Sequence, residues 1–263
     1  NMPSINLSKS VPDFNNIFND DFNSKHLSVK NISNKGNKYK LIKYDKDILS
    51  RDYESSYGLC RSIISNEDNQ IVCYSPPKSI DRNVFVNKYP VLDSNFIVEE
   101  LVEGTMINMF YNKGHWEIST KGVIGANTRF FKTSDKTNFR KMFFDTVVNS
   151  GLIYEMFDTN FCYSFVLQHP HNRIVVPFTE PSLKLIAVYH IETNEEGAFV
   201  VNVIDKYNYW LNNLNSSMVH VNDTYEILPY EKLDEKYASM NTSYDILGYV
   251  VYNTTTGERM KMR

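Results

Sequence analysis

Residues 95–122 read NFIVEELVEGTMINMFYNKGHWEISTKG. Three runs rich in apolar and aromatic residues, 95–101, 105–112 and 115–122, are separated by Glu103-Gly104 and Lys113-Gly114. Runs of this length bounded by glycine turns predict strands, and the short breaks predict an antiparallel meander. A lysine-glycine pair, Lys121-Gly122, closes the stretch.

The same reading extends in both directions. Residues 38–44 (KYKLIKY), 57–65 (YGLCRSIIS) and 69–76 (NQIVCYSP) read as strands, with NEDN between the last two as a hairpin-type turn. Residues 76–85 (PPKSIDRNVF) form a break with a short helix. The clearest helix is 134–151 (SDKTNFRKMFFDTVVNSG): Ser134 or Asp135 can cap it, and Gly151 ends it. Phe139, Met142, Phe143, Thr146 and Val147 then fall on one face. Strands follow at 162–168, 172–178, 183–191 and 198–204, then helices at 206–214 and 230–240, and a closing hairpin over 246–263. Antiparallel strands with a few inserted helices indicate an α+β fold. The first 35 residues, polar and rich in Asn and Ser, read as an extension, leaving residues 36–263 as one domain.

Composition excludes several classes. No apolar run approaches the length of a membrane span, and no basic-then-apolar leader opens the chain. Asn1 precedes Met2, as a residue left by tag cleavage would. Cys60, Cys73 and Cys162 are dispersed in apolar runs, which predicts buried thiols in a reducing compartment, without a disulfide framework or a zinc site. The formal net charge is −3, yet Lys35–Arg51 and Lys113–Lys141 are locally basic. Two readings compete for these blocks: solvated faces, or one face that docks an anionic ligand.

Seven short elements, in order, resemble the nucleotidyltransferase domain of ATP-dependent RNA ligases, in particular the RNA ligase 1 family of T-even bacteriophages. LCRSIIS (59–65) is similar to the family's Cys/Ala-Arg-Gly-Ile strand, and PPKSIDRNVF to its Pro-x-x-Lys-Phe-Phe-Asn segment. LVEG (101–104) occupies the Lys-x-Asp/Glu-Gly motif, and STKG (119–122) the Ser-Lys/Arg-Gly motif. YSFV…NRIV (163–175) is similar to Phe-Glu-Phe-Val…Asn-Arg-Ile-Val. LGYV (247–250) stands at Glu-Gly-Tyr/Phe-Val, and MKMR (260–263) at the paired-lysine strand. The resemblance implies antiparallel sheets flanking a cleft, with peripheral helices.

The departures fall on the chemistry. In the family a lysine attacks the α-phosphate of ATP. Leu101 stands there and has no lone pair to attack with. Leu247 and Ser164 replace two glutamates, the first of which helps hold the divalent metal. Glu103 keeps the motif's acid, as a turn residue or as a base. Neither a catalytic residue, a metal site nor a cofactor is expected. The resemblance places Arg61, Lys121, Arg173, Lys261 and Arg263 toward phosphates or an RNA end, with Arg173 equally open to a structural role. The basic segment around the helix adds Arg129, Lys132, Lys136, Arg140 and Lys141, with His115, Trp116 and Phe130 as stacking candidates. The expected protein is a non-catalytic binder of single-stranded RNA in the cytoplasm of an infected cell, with viral transcripts as partners. The alternative is an RNA ligase that uses a substituted nucleophile, or an inactivated variant of one.

Overall fold

The computed structural model describes residues 3–125, 139–168 and 182–263. Three sheets carry the molecule. The N-terminal sheet joins β2 (Leu27–Asn34), β3 (Asn37–Tyr44), β4 (Ile63–Asn66) and β5 (Ile71–Tyr74) in sequence order. The large sheet runs β1 (Ser4–Asn6), β11 (Phe199–Ile204), β10 (Ser182–Thr193), β9 (Phe161–Gln168), β7 (Thr105–Asn112) and β8 (His115–Ser119), with β12 (His220–Val221) also against β10. The C-terminal sheet runs β13 (Thr224–Tyr225), β6 (Phe96–Glu100), β14 (Tyr249–Asn253) and β15 (Arg259–Met262). The helices are α1 (Leu7–Ser10), α2 (Arg82–Lys88), α3 (Phe139–Asn149), α4 (Lys206–Tyr209) and α5 (Tyr230–Tyr237). Among the described residues no helix is long and apolar enough to cross a membrane.

The α+β class expected from the pattern is the one observed. Alternation along β9 sorts the core. Tyr163, Phe165 and Leu167 pack with Met142 and Phe143 of α3, while Cys162 joins Phe110, Ile64 and Tyr74 between the large and N-terminal sheets. A third core lies under the C-terminal sheet, where Phe85 of α2 and Leu233 of α5 meet Val98, Tyr249 and Met260. α2 starts where Asp81 accepts hydrogen bonds from the N–H groups of Asn83 and Val84. Gly151, at φ +75°, follows α3 as expected.

Three expectations meet a different outcome. First, the meander over 95–122 is split: β7 and β8 form a hairpin in the large sheet, but β6 belongs to the C-terminal sheet, between β13 and β14. Leu101 N–H bonds to Gly248 O at 3.2 Å, so the chain stays in the C-terminal ladder past β6. Gly104, at φ +150°, then carries it across to the large sheet. Second, residues 57–59 form a single 3₁₀ turn, closed where the Cys60 N–H donates to Tyr57 O at 2.9 Å, and the strand begins only at Ile63. Third, the division at residue 35 falls in the turn of the β2–β3 hairpin, and Ile5, Leu7, Val11, Phe14 and Ile17 before it are buried core residues.

Gly104 fixes where the two sheets meet. A Cβ there would lie 2.6 Å from both Leu167 O and Val166 Cγ1. Gly104→Ala is expected to cost at least about 2 kcal/mol, through the unfavourable φ together with the backbone clash. A shift in the urea midpoint at constant m-value measures it; an unshifted midpoint would show that the crossing tolerates a side chain.

Candidate functional site

Register defines the working face of the C-terminal sheet. Glu99 pairs with Val250, which pairs with Lys261; Ile97 pairs with Tyr252, which pairs with Arg259. Phe96, Val98, Tyr249, Val251 and Met260 occupy the opposite face, in the core. Glu99, Val250, Tyr252, Arg259 and Lys261 therefore share one face. Leu101 continues the β6 ladder, and its bond to Gly248 sets it beside Leu247 at the ends of neighbouring strands. Both leucines are half-buried. Ser164, on β9, is buried, and its Oγ donates to Asn108 Oδ1 at 2.7 Å. Two apolar side chains and a neutral hydrogen-bonded hydroxyl thus occupy the positions assigned to the nucleophile and two carboxylates. Among the described residues no group of three or more His, Cys, Asp or Glu could hold a metal ion, and the donor set at Leu247 and Ser164 does not fit one.

Cations converge on this face. The Lys121 ammonium is held below the ordinary lysine range by burial, then by Arg61, Lys43, Lys46 and Lys78. Lys261 is lowered by burial, then by Arg263, Arg259, Arg61 and Lys78. Arg61 is lowered by burial, then by Arg259. Of these side chains only Lys78 has a carboxylate partner among the described residues, Glu54 at 3.5 Å. Lys121 lies over the Tyr44 ring at 5.3 Å and Arg259 over Tyr252 at 5.4 Å. Arg259 is 8% exposed, and its Nε has no hydrogen-bond partner. Several like charges with one paired acid among the described residues, Glu54 at Lys78, are the electrostatic signature of a face suited to an anion.

Beneath this face lies a buried polar network. Glu99, 1% exposed, accepts from Lys206 Nζ at 3.0 Å and from the Tyr207 hydroxyl at 2.5 Å. Lys206 Nζ also donates to Ile186 O and Asn222 Oδ1, each at 3.0 Å. All three ammonium protons are therefore donated, and the amine has no free lone pair. Lys184 is likewise held by Glu100 at 2.7 Å.

Arg61, Lys121, Lys261 and Arg263, expected to lie together, are electrostatic neighbours. The helix contributes differently from expectation. Arg140 pairs with the buried Glu117 at 2.7 Å and donates to Gly125 O, while Lys141 pairs with Asp145 at 2.8 Å. Their charges are matched within the fold, and α3 packs on the face of the large sheet opposite Ser164. Trp116 is surrounded by Tyr111, Tyr154, Phe157 and Tyr163, so its ring serves the core margin instead of offering a stacking face. His115 Nε2 is 3.4 Å from Asn37 Nδ2 at the far end of β8. Arg129, Phe130, Lys132, Lys136 and Arg173 lie outside the described residues. Lys43 and Lys46 of the first basic block join the cluster, and so do Lys78 and Arg259, which the sequence reading did not single out. The period-two spacing of Arg259 with Lys261 and Arg263 was a readable signal for one of them.

No protein-family model matches the chain. It is 34% identical over 141 residues, 50% of its length, to an RNA ligase of Rhodothermus phage RM378, and spans 30% of that relative. A putative ATP-dependent DNA ligase from Aquifex aeolicus matches 89% of this chain at a TM-score of 0.55 and 12% identity, over 58% of its own length. An archaeal ATP-dependent RNA ligase matches 89% at a TM-score of 0.55 and 10% identity, over 57% of its own. At these identities the structural likeness is one of fold. The chain has the nucleotidyltransferase fold of RNA ligases.

Two outcomes test the electrostatics. Glu99→Gln leaves a buried ammonium unpaired and is expected to cost about 3–5 kcal/mol in urea unfolding. Lys121 and Lys261 are lowered in the folded state, so between their folded values and the ordinary lysine range the unfolded chain binds more protons. Stability contributed by these groups then rises with pH through that window, and at pH 7 their full penalty is present. Lys121→Gln and Lys261→Gln are therefore expected to raise the melting temperature at pH 7, with a gain that shrinks at alkaline pH; a lowered melting temperature would contradict the repulsion.

Proposed function

We propose that this chain is a non-catalytic RNA-binding protein that uses the cleft of an RNA ligase fold to hold single-stranded RNA. The observation that carries the reading is a face where cations lack carboxylate partners beside two leucines at the vacated positions. Adenylylation needs an amine that attacks and then leaves, and a metal to neutralise the phosphates. Leu101 supplies neither lone pair nor charge, and Leu247 and Ser164 supply no carboxylate. Lys206 and Lys184, the lysines bonded to the two acids before Leu101, are committed as donors. What the face retains is positive charge, which binds a phosphate backbone with little regard to sequence. Viral transcripts in an infected cell are the corresponding partners, in keeping with the phage relative.

One observation favours the enzymatic alternative. Lys121 and Lys261 are depressed by burial and then by neighbouring cations, which raises their amine fraction and hence their nucleophilicity. A single pair of assays separates the two readings. Single-stranded RNA binding is expected at low salt, with log affinity falling linearly against log salt, and substitution of Arg61 or Lys261 is expected to flatten the slope by about one phosphate each. Incubation with labelled ATP and a divalent metal is expected to leave the protein unlabelled, and Leu101→Lys alone is expected not to restore labelling. A covalent AMP adduct on the native chain would establish the enzyme; salt-insensitive or absent RNA binding would end the binding proposal.

A further inference from the structure

The cationic face borders a shoulder formed by β2 and residues 45–59. Lys121 lies over Tyr44, which pairs with Leu27, and the next residue, Asp45, donates its N–H to His26 O at 2.8 Å. The His26 ring stacks on Tyr57 with centroids 4.4 Å apart and planes at 15°, and lies 4.6 Å from the Tyr53 ring. Tyr53 and Tyr57 meet edge-on at 5.7 Å. Tyr57 is buried, while Tyr53 remains 39% exposed. An exposed ring fixed by two others costs little to order when a flat ligand stacks on it.

Around Tyr53 the charges are mixed: Asp52 precedes it in sequence, and Arg51 is paired with Asp81 at 3.2 Å. A polyanion gains electrostatic free energy at Lys43 and Lys46, on the side of Lys121, and little at Tyr53. A base gains stacking, and every base has a π-face, so the contact is indifferent to sequence and salt. We infer that Tyr53, backed by His26 and Tyr57, is a base-stacking station for single-stranded RNA that leaves the cleft past Lys43 and Lys46. This rests on the RNA-binding reading above and adds a second contact outside the inherited motifs.

The test compares Tyr53→Leu with Tyr53→Phe on two RNAs, one of about three nucleotides that fills the cleft and one of about ten that reaches the shoulder. Tyr53→Leu is expected to weaken the longer RNA about ten-fold with an unchanged salt slope and to leave the shorter RNA unaffected. Tyr53→Phe is expected to bind both as the native chain does. The inference fails if Tyr53→Leu binds the longer RNA normally, weakens both lengths equally, or is matched by Tyr53→Phe. Should Tyr53→Leu not fold, ultraviolet crosslinking of the longer RNA to the native chain decides: adducts on Tyr53 support the station, and their absence overturns it. If the native chain binds neither RNA, the cleft reading itself has failed, an outcome distinct from loss of the shoulder contact alone.

Discussion

The Glu99–Lys206 ion pair is the contact that ties the cationic face of the C-terminal sheet to the large sheet. Glu99 comes from the C-terminal sheet, Lys206 from α4, and the Ile186 carbonyl that Lys206 also binds comes from the large sheet. The pair is buried, so its desolvation is costly and worthwhile only when every donor and acceptor is used. Here they are used: Asn222 takes the third ammonium proton, and Tyr207 donates to the second carboxylate oxygen. Asn222 in turn donates to Glu100 O at 3.2 Å. The two sheets are thus locked at a fixed separation one residue pair from Leu101, with the charges consumed internally.

Above that satisfied network sits an unsatisfied one. Burial, then neighbouring cations, hold Arg61, Lys121 and Lys261 below their ordinary ranges, and among the described residues the one acid paired with a cation of the cluster is Glu54, at Lys78. A fold held together by packing alone would gain from losing such repulsion. It stands beside two leucines and a neutral serine, and the contrast between unpaired cations and side chains that neither attack a phosphate nor ligate a metal shapes the functional reading. Buried Arg259, over the Tyr252 ring and with no carboxylate paired to it among the described residues, adds to the positive potential of this face.

Legibility varied with the range of the interaction. α3, the β14–β15 hairpin, β9 and β10 were readable because local period and turn chemistry agree with the final fold. The split of β6 from β7 was not readable, since the same Gly104 that suggests a hairpin turn can also serve a crossing between sheets, and the choice depends on Gly248 and Leu167, distant in sequence. Residues 27–34 looked like a polar tail because their partner face is supplied by β3 across the Lys35-Gly36 turn. Arg140 and Trp116 looked free for a ligand because Glu117 and the Tyr111–Phe157–Tyr163 rings that engage them lie elsewhere along the chain.

The sequence by itself determined that Leu101, Ser164 and Leu247 carry no amine or carboxylate and that basic residues stand at 61, 121, 261 and 263, since that depends only on which side chains stand at which places. Tertiary structure decided which cations act together. Lys43, Lys46, Lys78 and Arg259 joined Arg61, Lys121 and Lys261, while Arg140 and Lys141 were neutralised by Glu117 and Asp145. The reason is Coulombic range: screening confines an effective interaction to roughly 10 Å, and only the folded chain sets which charges fall within it.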